Sequence, residues 1–81
     1  EFITLSPNPF VDQLKIEFTT SSYQYVDVQV IEISSGALVA SKLGFNSGNS
    51  LYLGQLSQGS YIVRLVSPDG KIYQQVKVVK N

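Results

Sequence analysis

Histidine, cysteine, tryptophan and methionine are all missing from this 81-residue chain. Without histidine it lacks the side chain that most often moves protons near neutral pH. Without cysteine it has no thiolate nucleophile and no disulfide framework, and that absence fits either redox compartment. Charge is scarce as well: six basic and six acidic residues cancel. A neutral chain has no basic field for nucleic acid, and no basic amphipathic helix suggests a membrane surface. No apolar run approaches the roughly 20 residues of a spanning helix, so direct membrane insertion is not expected. No basic segment followed by an apolar one stands at the N-terminus as an export signal would. Glu1 opens directly into strand-like sequence, as a fragment of a larger protein would.

What is present is enough to fold. Hydrophobic residues make up 43% of the chain, and one domain of this size buries roughly 60% of its unfolded surface. Helical periodicity is absent, and turn signals recur about every 8 to 12 residues, the spacing of a sandwich or barrel. Phe2–Leu5 reads as a first strand, ended by Pro7 and Pro9, which cannot donate to a ladder. From Gln13 to Thr20, Leu14, Ile16 and Phe18 alternate with Lys15, Glu17 and Thr19, a half-buried antiparallel strand. Ser21-Ser22 is a turn. Val26, Val28 and Val30 carry a third strand from Tyr25 to about Ile33. Its phase shifts at Ile31, through a bulge or through burial on both faces.

Gly36 closes a hairpin into a fourth strand, Ala37–Leu43, and the polar stretch from Gly44 to Ser50 reads as a loop. Leu51–Leu53 is a short fifth strand. Tyr61, Val63 and Leu65 share one face of a sixth, Ser60–Val66. Ser67-Pro68-Asp69-Gly70 is a turn. A last strand, Lys71–Lys80, puts Ile72, Gln74, Val76 and Val78 on one phase. About seven strands without a helix predict an all-β, immunoglobulin-like antiparallel β-sandwich, lacking the antibody cysteines and tryptophan.

Reactive chemistry is thin. Glu17 and Asp27 occupy the wet phase of strands, Asp69 sits in a turn, and no cluster of oxygen ligands suggests calcium. The serines are turn and loop residues outside any G-x-S-x-G elbow. The Gly44–Gly48 loop lacks the Lys-Ser/Thr and helix of a phosphate cradle. No catalytic residue, metal site or cofactor is expected, and the chain does not read as an enzyme. Tyr61 falls on the core phase, while Tyr23, Tyr25, Tyr52 and Tyr73 are candidates for exposure.

The ordered set Pro7-Asn8-Pro9, Leu14-x-Ile16, Val26-x-Val28-x-Val30-Ile31-Glu32-Ile33-Ser34-Ser35-Gly36, Leu53-x-x-Leu56-x-x-Gly59-x-Tyr61-x-Val63-x-Leu65, Gly70-Lys71 and Val76-Lys77-Val78-Val79-Lys80 resembles the type A C-terminal sorting domain of the type IX (Por) secretion system. The resemblance spans nearly the whole chain. It departs at Ser6, where an aromatic is frequent, and at Glu32, where aspartate is usual. It implies a domain at the end of a cargo protein in a Gram-negative bacterium. The cargo passes through the periplasm to the cell surface or medium, where a sortase-like peptidase commonly removes the sorting domain. The implied partners are the outer-membrane translocon, that peptidase and the N-terminal cargo domain.

Two roles are open for the final strand, Tyr73–Lys80. It is either an exposed edge that pairs with a partner strand, with Lys77 and Lys80 blunting accidental pairing, or simply the completion of the core. An exposed edge also allows an edge-strand homodimer. Gly36 and Gly59 read as fold-critical, and Pro7 and Pro9 as fixing the exit to the upstream linker. The rival functions are a carbohydrate-binding sandwich, using exposed tyrosines, and an inert spacer.

Overall fold

The computed structural model describes residues 2–19 and 23–81, so the Ser21-Ser22 turn lies outside the described residues. Seven strands follow in order: β1 Phe2–Ser6, β2 Gln13–Thr19, β3 Val26–Glu32, β4 Leu38–Phe45, β5 Ser50–Tyr52, β6 Gly59–Val66 and β7 Ile72–Lys80. They form two antiparallel sheets, ordered β1-β2-β5 and β4-β3-β6-β7. The all-β expectation holds. In the antibody constant arrangement the fourth strand joins the first, second and fifth. Here it stands beside the third, giving a sheet of three against a sheet of four.

The alternating patterns form these strands because each sheet has one face to bury. Leu14, Ile16 and Phe18 of β2, Val26, Val28 and Val30 of β3, and Tyr61, Val63 and Leu65 of β6 all point into one core. Phe10, Phe45, Leu51, Leu53 and Val78 complete it. Ile31 follows the outer phase of Asp27 and Gln29, since β3 keeps its register with β6, and the bulge falls in the pairing with β4, between Val30 and Ile31. The β3–β4 hairpin closes with Gly36 at φ 73°, a left-handed conformation that side chains with a Cβ resist.

Three local readings are corrected. β4 runs on to Phe45, which is buried, so Gly44-Phe45 belongs to a strand rather than a loop. The polar stretch after it lies along β2: Ile16 N–H donates to the Asn49 carbonyl at 3.1 Å, Gly48 N–H to the Ile16 carbonyl at 2.9 Å, and Phe18 N–H to Ser47 Oγ at 2.8 Å. This loop therefore prolongs the pairing that the three-residue β5 begins. Ile72 is 54% exposed, because a register shift between Leu65 and Val66 takes it off the phase of Val76 and Val78.

Candidate functional site: the clasped edge of the last strand

β7 is an edge strand of the four-stranded sheet, the first of the two roles left open for it, but its C-terminal half is covered. The cover is the Pro7–Phe10 turn that follows β1. Asn8 Oδ1 accepts from Val79 N–H at 3.0 Å, and Asn8 Nδ2 donates to the Lys77 carbonyl at 3.4 Å. Phe10 N–H donates to the Val79 carbonyl at 2.9 Å, and Asn81 N–H donates to the Phe10 carbonyl at 2.9 Å. Phe10 thus forms a parallel bridge with Lys80.

The amide of Asn8 does the work of a backbone peptide, with one acceptor and one donor spaced to meet a strand edge. Prolines on either side suit this, since they bring no N–H of their own to satisfy. Phe10 anchors the turn by filling the core with its ring, fully buried. Covering an edge with a loop is one of the ways proteins prevent accidental strand addition.

The sequence-predicted residues fall into three groups. Pro7, Asn8, Pro9, Lys77, Val78 and Lys80 meet at this clasp. Glu32, Gly59 and Tyr61 lie on the flank of it: Glu32 pairs with Tyr61, Tyr61 with Val78, and Gly59 with Lys80. Gly36 and Gly70 sit in turns, and Val76 packs inward from the middle of β7.

The expectation that Lys77 and Lys80 together blunt an exposed edge is corrected. Lys77 is exposed, but Lys80 takes the inner phase with Val78 and is 7% exposed. The free edge is likewise shorter than Tyr73–Lys80, because the clasp occupies it from the Lys77 carbonyl onward.

Glu32 is a turn anchor: its Oε1 accepts from Ser35 Oγ at 2.6 Å, and Ser35 Oγ in turn accepts from Ala37 N–H at 3.2 Å. Tyr61 buries its ring and donates its hydroxyl to the Ser57 carbonyl at 2.6 Å, pinning the turn that enters β6. Burial first, and then the charge of Glu32, raise its phenol above the ordinary value. At the other end, Gly70 N–H donates to the Ser67 carbonyl at 2.9 Å, and the buried Ser67 hydroxyl donates to Asp69. That bond, followed by the nearby Lys71 charge, holds the Asp69 carboxyl below its ordinary range.

Tyr52 and Tyr25 lie at different sheets. Tyr52 is exposed on β5, its ring lying over Gly54, while exposed Tyr25 leads into β3 of the other sheet. Among the described residues no group of acidic side chains could hold a metal ion.

The arrangement defines a two-sheet β-sandwich whose opening turn and closing strand are locked together at one edge. The model for the secretion system C-terminal sorting domain matches residues 4–81, and the chain belongs to that family. It is a C-terminal sorting signal for type IX secretion, which sends the protein that carries it to the cell surface or medium of a Gram-negative bacterium. No curated protein and no solved structure matches the chain.

Proposed function

We propose that residues 1–81 act as one non-catalytic domain at the end of a larger cargo protein. The outer-membrane translocon reads the uncovered stretch of the β7 edge, and a surface sortase-like peptidase then cuts upstream of it. The half-covered edge is the observation that carries this reading. Val79 faces outwards in its bonds to Asn8 and Phe10. Antiparallel alternation turns the N–H and carbonyl of Gln75 and the N–H of Lys77 the same way, on the stretch the clasp leaves open. A partner strand finds there a short row of backbone groups with a fixed start, the Asn8 amide. A second copy of the chain would compete for the same row and form a homodimer.

The test fuses the chain and its upstream linker to an export-competent fluorescent protein, in a host with the type IX machinery and in a translocon-null strain. Surface or medium signal is expected only in the competent strain. Lys77→Pro removes an outward N–H without touching the ladder to β6. That variant is expected to stay in the periplasm while melting as a folded domain. Wild-type export of folded Lys77→Pro would refute the edge, and retention of the unaltered fusion in both strains would favour a binding or spacer module.

A further inference from the structure

The outer faces of the two sheets differ. The three-stranded sheet turns Thr4, Ser6, Gln13, Lys15, Glu17 and Tyr52 outwards, and is mostly polar. The four-stranded sheet is banded. Register places Leu38, Ile31, Ile62 and Lys77 in one row across it, then Ser41, Gln29, Arg64 and Gln75, then Asp27, Val66 and Ile72. Along β6 two apolar side chains, Ile62 and Val66, thus flank Arg64; the outer rows carry Lys77 and Asp27 at opposite ends, and Leu38 and Ile72 are 57% and 54% exposed at the two sheet edges.

Arg64 holds the centre. Its Nε donates to Gln75 Oε1 at 3.3 Å, and its Nη1 to Gln29 Oε1 at 3.4 Å. Both partners are neutral amides at long range, and they use two of the roughly five guanidinium donors. Asp27, in the next row, accepts from Gly44 N–H at 3.0 Å on its far side. The two glutamines therefore tie a guanidinium across three strands, half-buried between Ile62 and Val66, with donors to spare. A carboxylate is the group whose geometry matches that fork.

We infer that this face is a docking surface for a protein strand that presents a carboxylate between two apolar side chains. Resting on the sorting role, this names a partner surface separate from the β7 edge. Same-face residues two apart on a strand match the spacing of successive rows. A partner strand aligned within about 30° of these strands sets apolar, acidic and apolar side chains on the three bands. Desolvating the row on docking strengthens the Arg64–carboxylate pair and penalises a partner that brings a lysine or nothing.

The experiment uses the same export fusion with two substitutions. Arg64→Glu repels the partner carboxylate. Gln29→Glu places a carboxylate beside Arg64 within the domain, so that the guanidinium is already paired. Both variants are expected to cut type IX-dependent export by about tenfold, the scale of one charge-assisted hydrogen bond. Gln29→Glu is expected to melt no lower than the unaltered domain, which separates a lost contact from a damaged fold. Wild-type export of either folded variant overturns the docking face while leaving the sorting role intact. Failure of the unaltered fusion to leave the periplasm removes both.

Discussion

Replacing Asn8 by alanine removes both side-chain bonds of the clasp and leaves the two backbone bonds of Phe10 in place. The bond from Val79 N–H is 3.0 Å long, and a hydrogen bond of that kind contributes about 1 kcal/mol net. The bond to the Lys77 carbonyl, at 3.4 Å and open to water, adds at most a few tenths. A loss of about 1 kcal/mol lowers the melting temperature of a domain this size by about 4–8 °C. The same loss has a local signature, since Val79 N–H loses its only acceptor on the outer edge. Its exchange with solvent is expected to quicken by about fivefold, while amides of β2 exchange as before. Phe10→Ala is the contrasting case, because it empties the core of a fully buried ring at a cost of about 3–5 kcal/mol. Melting of Asn8→Ala within a degree or so of the parent, together with unchanged Val79 exchange, would refute the side-chain pairing. Phe10 would then be the whole of the cover.

Gly36→Val is expected to destabilise by about 1–2 kcal/mol in urea unfolding, the strain of a β-branched residue at φ 73°, since nothing crowds its Cβ. An unchanged midpoint would count against the left-handed turn. Tyr61→Phe should cost about 1 kcal/mol through the lost bond to Ser57. Because folding raises the Tyr61 phenol, its contribution is present below the ordinary value of 10.0 and fades as pH climbs through the higher folded value. The alkaline fall in the urea midpoint should therefore be shallower in Tyr61→Phe. Asp69 runs the other way: its carboxyl is lowered on folding, so its contribution is present above the ordinary 3.8 and fades as pH falls through the lower folded value. Asp69→Asn should flatten that acid limb, and an identical limb would show that the Ser67 bond stabilises nothing.

Strands with a clean period of two were legible in the sequence. β2, β3 and β6 lie where their valines, isoleucines and leucines place them, and the Gly36 and Ser67–Gly70 turns follow from turn chemistry. Positions shaped by register were not. Ile72 has the right phase in the chain and the wrong face in the sheet, because a bulge intervenes where β6 meets β7. Phe45 is hidden between Gly44 and Asn46, which read as loop residues until β3 is seen to hold Phe45 opposite Val26. Phe10 stands alone behind two prolines, with no periodic neighbour to mark it as core. The clasp itself had no signature to find, since a side-chain amide standing in for a peptide leaves no period. The Pro-Asn-Pro run was visible, but its partner, 71 residues downstream, was not.

That separation bears on when the domain becomes complete. Its hairpins close over short loops, but the Asn8–Val79 contact spans almost the whole chain, and long-range closures form late in folding. Asn81 is tied into the same clasp by its bond to the Phe10 carbonyl. A chain clipped before Val79 therefore loses three of the clasp's four hydrogen bonds and keeps only that from Asn8 Nδ2 to the Lys77 carbonyl. The closed edge is thus a feature that a chain clipped before Val79 lacks, so intact and clipped domains differ in shape at that edge.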